Sequence, residues 1–147
     1  MSQRSLSISY RFCLFLLVTL STGCLDLQTS DIRRAAQRVS SRNNIQQLLL
    51  ALRNFHDEQQ QWPDHLIELV PLLDGNTSIL SNPITGDDPG YAYVKPALHP
   101  SDPKAKNTIV IYQLRRGKRD MKLEVGYLDG SVRQLAAKNL TTQDIRQ

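Results

Sequence analysis

The chain has 147 residues, with 18 basic and 14 acidic side chains and a formal net charge of +4. Both of its cysteines lie in the first 24 residues, which excludes a disulfide scaffold, a CxxC redox pair and a cysteine-ligated zinc cluster from the remainder. Without Arg4 and Arg11, 16 basic residues face 14 acidic ones, and an excess of +2 gives no support for nucleic-acid binding.

The beginning of the chain has the three parts of a secretory signal peptide in the usual order. Arg4 and Arg11 form a positively charged start, residues 12–20 are apolar, and three small residues precede Cys24. The ending resembles a bacterial lipobox. That resemblance implies that the chain is cut before Cys24 and that its thiol carries fatty acyl groups such as palmitate. The protein would then be anchored in a membrane of the bacterial envelope, facing the periplasm or the exterior.

The sequence differs from the usual lipobox at one position. Ser21, three residues before Cys24, occupies the place where leucine, valine or isoleucine is usual. Two alternatives therefore stay open. An ordinary cleavable signal fits the small residues before Cys24, and an uncleaved signal anchor would keep the segment in the membrane. A spanning helix needs about 20 apolar residues, and the run at residues 12–20 is much shorter, so the anchor is less favoured.

The sequence predicts a signal peptide over residues 1–23, a short polar tether over residues 24–30 and a single domain over residues 31–147. Ser30 and Asp31 offer an N-cap for a helix that continues to about residue 59. Apolar residues recur along this helix three or four positions apart: Ile32, Ala35, Ala36, Val39, Ile45, Leu48, Leu49, Leu52 and Phe55. The stripe weakens at residues 40–44, which predicts a solvated first half and a packed second half.

The middle of the chain predicts mostly irregular structure. Pro63 begins a second short helix, which ends near Pro71 and is closed by Asp74 and Gly75. Prolines are dense further along and disfavour regular structure, apart from a brief strand at residues 91–94. The single tryptophan, Trp62, is expected to fill the gap between the long helix and the sheet and not to line a ligand pocket.

The last third of the chain predicts three strands, at residues 108–114, 121–128 and 131–135. Alternation in the second strand places four residues on one face: Met121, Leu123, Val125 and Tyr127. Asp129 and Gly130 predict a structural turn of two residues, type I′, in which both have positive φ. The predicted fold class is therefore α+β, with a long N-terminal helix packed on a small antiparallel β-meander.

No catalytic or metal-binding pattern is complete in the sequence. Three histidines lack the spacing of metal ligands and are predicted to be surface residues: His56, His65 and His99. Asp87 and Asp88 offer oxygen ligands for calcium, but an Asx turn is favoured because the ligand alternation of an EF-hand is absent. The basic cluster at residues 115–122 predicts a solvated connection between strands, although such clusters also bind phosphates or lipid head groups. We expect no catalytic residues, no metal and no cofactor.

Three segments together resemble the soluble part of pseudopilins, in particular a planctomycete-type family. They are NNIQQLLLALRNFHDEQQQWPDHLIELVPLL at residues 43–73, TGDDPGYAYV at residues 85–94 and VGYLDGSVRQL at residues 125–135. In that family an asparagine-containing helix leads to a W/F-P pair and a second helix, and the domain ends in a DG hairpin. The resemblance implies a pseudopilin-like α+β domain linked to a type II secretion or type IV pilus-like system.

The front of the chain departs from that family, because it lacks the phenylalanine-rich prepilin helix with its glutamate at the fifth mature position. The expected function is therefore that of a non-enzymatic lipoprotein, anchored through Cys24, that contacts envelope or secretion-system proteins. An accessory pseudopilin with an uncleaved N-terminal anchor is the alternative. Neither nucleic acid nor a small-molecule substrate is expected as a partner.

Overall fold

The structure of the protein is a computed structural model, which describes residues 6–114 and 122–140, with side chains for residues 29–114 and 122–140. Helix α1 spans Leu6–Gln59. The chain forms two compact units, residues 1–36 and residues 37–147. Within the described ranges, no helix is both long and apolar enough to cross a membrane.

Helix α1 begins at Leu6, so the predicted helix start at Ser30 and Asp31 is wrong, and the backbone of the predicted tether is helical. Residues 6–22 contain neither glycine nor proline, and Gly23 is a single interruption. One glycine costs a helix only about 1 kcal/mol relative to alanine. The polar residues near position 30 therefore continue a helix that is already formed.

Burial along α1 follows the predicted division of its apolar stripe. Ile32 is 65% exposed and Val39 60% exposed, whereas Ile45 and Leu48 are completely buried. The residues of the packed part recur at the spacing of one helical face, which confirms that the second half of the stripe supplies the core. A hydrogen bond attaches the helix to the sheet just before this buried part, between the hydroxyls of Ser41 and Tyr91 at 3.2 Å.

The second unit contains a four-stranded antiparallel sheet in the order β1-β2-β3-β4. Each strand pairs with the next along the chain, so the sheet is a meander. The predicted α+β class, one long helix with an antiparallel sheet, is confirmed. The strands are β1, Tyr91–Tyr93; β2, Ile109–Gln113; β3, Lys122–Tyr127; and β4, Val132–Ala136.

Strand β3 is buried on both of its faces. A Cβ placed on Gly126 would lie 2.8 Å from Ile45 Cγ2 and 3.0 Å from Leu49 Cδ1, so this face of β3 lies against α1. Successive residues of a strand point to opposite faces. The opposite face carries a second apolar cluster around Ile109, Leu123, Val125 and Tyr127. The prediction that Leu123, Val125 and Tyr127 share a face is confirmed, and Met121 lies outside the described residues.

The predicted second short helix is a 3₁₀ helix over Leu66–Leu73, so its predicted start at Pro63 is wrong, and it includes Pro71. Proline lacks the N–H that an α-helical turn needs and disfavours the α-helix interior, and short tight turns of 3₁₀ type tolerate this better. Its closure agrees with the prediction. Asp74 and Gly75 have φ values of +54° and +75°, and the Gly75 N–H donates to the Val70 carbonyl at 3.0 Å.

Candidate functional site

The connection between β3 and β4 contains Asp129 and Gly130, but its type differs from the prediction. The Tyr127 N–H donates to the Ser131 carbonyl, and the Gly130 N–H donates to the Tyr127 carbonyl, both at 2.9 Å. Gly130 has φ +87°, while the described non-glycine residues with positive φ are Gln60 and Asp74. The loop is therefore a three-residue turn closed by a left-handed glycine, and the predicted type I′ turn with positive φ at Asp129 is wrong.

The Asp129 carboxylate is held within this connection. Its Oδ1 accepts hydrogen bonds from the Ser131 N–H at 2.8 Å and hydroxyl at 2.6 Å, and its Oδ2 lies 3.6 Å from Arg133 Nη2. Partial burial raises the pKa of Asp129, but the bonds from Ser131 and the charge of Arg133 outweigh it, so the net pKa lies below the ordinary value. These contacts lie within the β3–β4 connection, so they account for an aspartate at position 129 by its role in the turn.

Gly130→Val is expected to destabilise the protein by about 1–3 kcal/mol, because a β-branched residue is strained at positive φ. No atom lies within 4 Å of a Cβ placed on Gly130, so backbone strain alone sets this cost. Asp129→Asn should cost less than about 1 kcal/mol, since an amide oxygen still accepts the two bonds from Ser131. Urea midpoints of the two variants measure the difference, and the reverse order would indicate a function for the carboxylate.

The predicted lipidation residue, Cys24, lies within α1, and its side chain is outside the described residues. The basic cluster at residues 115–122 also falls outside them, apart from Lys122, which is exposed. Lipidation of Cys24 therefore stays a prediction, as does the solvated connection at the cluster.

One of the three histidines differs from its prediction as a surface residue. The His56 side chain is only 12% exposed, and its ring centroid lies 4.1 Å from that of Trp62 and 5.2 Å from that of His99. His56 follows Leu52 by four positions, so it continues the buried helical face, a signal that the sequence contained. No three His, Cys, Asp or Glu side chains of the described residues are grouped as metal ligands would be.

Trp62 packs in the core, as predicted, and its Nε1 donates to the Leu98 carbonyl at 3.3 Å. It also lines a cleft, which the prediction excluded. That cleft has a volume of about 300 Å³, and Leu49, Leu50 and Leu128 line it as well. Trp62 is large enough to fill the core with one part of its ring system and to bound the cleft with another.

Leu50 lies between two clefts of the second unit and is 61% exposed. It lines both the cleft at Trp62 and a second cleft of about 290 Å³, which Ala51, Leu72 and Ile79 also line. Both clefts also have polar residues in their linings, among them Arg53 and Asn54. A large exposed apolar side chain beside two clefts of mixed lining is a surface that another protein can cover.

The loop that carries Asp87 and Asp88 is organised by Asn82, which is completely buried. The Asn82 N–H donates to the Asp87 carbonyl at 2.9 Å, and the Gly86 N–H donates to the Asn82 carbonyl at 2.7 Å. The Asn82 side-chain oxygen accepts from the Ile84 N–H at 2.9 Å. These bonds form an Asx-type turn at Asn82, so the turn chemistry lies earlier in the loop than the predicted aspartates.

A polar pocket of about 350 Å³ lies within the second unit and was not predicted. The residues that line it are Arg38, Ile84, Gln113, Lys122, Glu124 and Gln134. Glu124 is 4% exposed and Gln113 1% exposed, whereas both cationic residues are exposed. The signal in the sequence was a glutamate between apolar residues in the middle of a predicted strand, an unusual place for a charge.

Glu124 and its neighbours give the pocket its chemistry. Glu124 pairs with Gln134 across the β3–β4 ladder, and its Oε1 accepts a bond from Gln134 Nε2 at 2.6 Å. Its Oε2 is buried and has no hydrogen-bond partner. The pocket is thus lined by a buried carboxylate and two side-chain amides, with two exposed cationic side chains among them.

Comparisons with known proteins give no relative for this chain. A scan against protein-family models finds no match, and searches of curated proteins and of solved structures find none either.

Proposed function

We propose that the protein is a lipoprotein of the bacterial envelope, tethered through Cys24 and acting through contacts with other proteins. The observation that carries the proposal is the order of a basic start, an apolar run, three small residues and then Cys24. Cys24 is also the only cysteine outside the apolar run. Acylation at this residue would hold the α+β unit at a membrane surface.

The domain behind the tether is proposed to be pseudopilin-like. The matching segments follow one another along the second unit: residues 43–73 on α1 and the 3₁₀ helix, residues 85–94 on β1 and the loop before it, and residues 125–135 on the β3–β4 hairpin. A long N-terminal helix followed by an antiparallel meander supports this proposal. It links the protein to a type II secretion or type IV pilus-like system.

The protein contacts are proposed to involve the surface around Leu50. Its exposed side chain and the apolar residues of the two clefts beside it fit a partner that inserts an apolar side chain on either side of Leu50. The proposed occupant is an envelope protein of the secretion or pilus-like system, which the tether would bring close.

An accessory pseudopilin with an uncleaved anchor is the second candidate. The observation that favours it is the continuity of α1, which runs from Leu6 to Gln59 through Cys24. The two candidates differ in two measurable properties, the acylation of Cys24 and the removal of residues 1–23.

Metabolic labelling with a palmitate analogue in a bacterial host separates these candidates. We expect the wild-type chain and Cys13→Ala to be labelled and shortened, because Cys13 lies inside the apolar run that is removed. We expect Cys24→Ala to be unlabelled, because it lacks the thiol that takes the acyl group. Gel mobility and intact mass measure the processing, and fluorescence of the attached label measures the acylation.

The control variant makes this result specific, since both variants remove one thiol from the same segment. Labelling of Cys24→Ala at the wild-type level would contradict acylation at Cys24. Full-length, unlabelled and membrane-bound wild-type chain would instead support the uncleaved anchor.

A further inference from the structure

Two asparagines of the chain begin the acceptor pattern for N-linked glycans, which is asparagine, any residue except proline, and then serine or threonine. They are Asn76, followed by Thr77 and Ser78, and Asn139, followed by Leu140 and Thr141. Such a short pattern arises easily by chance, so the structure around each asparagine decides whether an enzyme can use it. Asn139 ends a short 3₁₀ helix, Ala137–Asn139, and Thr141 lies outside the described residues.

The segment around Asn76 lies at the surface of the second unit. Residues 74–78 are all exposed, and they connect the 3₁₀ helix over Leu66–Leu73 to a further 3₁₀ helix over Thr77–Leu80. A connecting segment of this kind is where enzymes most readily reach the backbone and side chains of a folded protein. Asp74 forms none of the ion pairs found among the described side chains, so its carboxylate is also available for recognition.

The two ends of the Asn76 side-chain amide have different roles. Its Oδ1 accepts bonds from the Ser78 N–H at 3.1 Å and from the Ser78 hydroxyl at 2.6 Å. Because a backbone N–H can only donate, these bonds identify the oxygen of the amide. Within the described part of the chain, Nδ2 has no hydrogen-bond partner. The nitrogen that would carry a glycan is therefore available, while the oxygen that caps the helix can keep its bonds.

Ser78 also affects the reactivity of this nitrogen. An amide nitrogen is a weak nucleophile, because its lone pair is shared with the carbonyl group. Hydrogen-bond donors on Oδ1 stabilise the negative charge that this oxygen gains when Nδ2 loses a proton. The hydroxyl two residues after Asn76 thus favours the deprotonated, more nucleophilic form of the amide.

We propose that Asn76 is an acceptor site for an N-linked glycan, transferred from an oligosaccharide that is carried on a lipid pyrophosphate. In the transfer, Nδ2 forms a bond to the anomeric carbon of the sugar, and the bond between that carbon and the phosphate oxygen breaks. The lipid pyrophosphate leaves with the electron pair, and a base of the transferring enzyme takes one proton from Nδ2. N-linked glycans belong to exported proteins, so in the cell this inference rests on the proposed function.

A glycan on Asn76 would lie beside the surface around Leu50. Asn76 and Leu50 line the same cleft, whose volume is about 290 Å³. An N-linked glycan is bulky and hydrophilic, so it would hinder an apolar side chain of a partner from entering this cleft. Modification would therefore weaken the proposed protein contacts there.

The test uses the folded full chain, purified in detergent and incubated with a bacterial oligosaccharyltransferase and its lipid pyrophosphate-linked oligosaccharide. We expect a mass increase of one oligosaccharide at Asn76, measured by intact mass and peptide mapping. Asn76→Gln should lose this increase, because glutamine is not an acceptor, whereas Asn139→Gln should keep it. The reaction needs no export, so its failure is distinguishable from a failure of Cys24 labelling.

Substitutions at the two residues after Asn76 separate use of the pattern from simple exposure. Ser78→Ala should abolish modification at Asn76, and Ser78→Thr should retain it, because threonine keeps the hydroxyl. Thr77→Ala is the matched control, since the middle residue of the pattern is not restricted except against proline. Urea midpoints confirm that each variant is folded, and a synthetic peptide of residues 72–80 is the positive control for the enzyme.

Three results would overturn the proposal. The first is an unmodified Asn76 in the folded chain although the peptide is modified, which would mean that the fold hides the site. The others are undiminished modification of Ser78→Ala and a glycan found on Asn139 alone.

Discussion

Leu48→Asp is expected to unfold the second unit of the protein. Leu48 is completely buried on the face of α1 that packs in the core. Truncating a buried leucine costs about 2–5 kcal/mol, and burying an unpaired carboxylate adds to that. The sum is comparable with the whole stability of a small domain, about 5–15 kcal/mol. Urea unfolding followed by fluorescence of the single tryptophan, Trp62, which is 9% exposed, measures the loss.

Leu50→Asp is the matched control, two residues along the same helix. Leu50 is 61% exposed, so its replacement should change the free energy of unfolding by less than about 1 kcal/mol. Similar destabilisation by both variants would contradict the assignment of the buried face. Because Leu50→Asp is expected to keep the fold, it also permits a test of partner binding by the surface around Leu50.

The core part of α1 could be predicted from the sequence, because burial there follows a simple period. Ile45, Leu48, Leu49 and Leu52 recur at the spacing of one helical face and are all buried. The weakness of the stripe at residues 40–44 also has a structural counterpart. There, side chains anchor the helix by hydrogen bonds instead, as when Arg42 Nη2 donates to the Val132 carbonyl at 3.2 Å.

The type of the β3–β4 connection could not be predicted from Asp129 and Gly130 alone. Leu128 is 7% exposed in the core, and its N–H donates to the Thr108 carbonyl at 2.9 Å. These tertiary contacts fix Leu128 as the first residue of a three-residue loop. Local turn preference identified the position of the turn, while packing of a distant segment determined its geometry.

The polar pocket could not be predicted from the sequence, because the set of residues that line it depends on the register between strands. Three different strands contribute Gln113, Glu124 and Gln134 to it. Each of these residues is separated from the next in the sequence by about the length of one hairpin. Only the antiparallel pairing of β3 and β4 places Gln134 opposite Glu124. The sequence showed one unusual charge in a strand, but pairing register decides which side chains surround it.

Gly90→Ala is expected to destabilise the protein by at least about 3 kcal/mol, through overpacking and lost hydrogen bonds. A Cβ placed on Gly90 would overlap the backbone nitrogen of Asn82 and lie 2.7 Å from its Cα. The Gly90 backbone cannot easily move away. Its N–H donates to the Leu80 carbonyl, and its carbonyl accepts from the Leu114 N–H, both at 2.8 Å. Urea unfolding of the purified variant measures the loss.

Gly86→Ala is the control for this prediction, in the same loop. Gly86 has φ +74°, and no atom lies within 4 Å of a Cβ placed on it, so alanine there should cost only about 1–2 kcal/mol of backbone strain. A smaller loss for Gly90→Ala than for Gly86→Ala would contradict the close approach of Gly90 to Asn82. The expected order has a further consequence, because Asn82 accepts the bond from Gln113 Nε2. Displacing Asn82 should therefore also shift Gln113, which lines the polar pocket, and Gly90→Ala should disturb that pocket where Gly86→Ala does not.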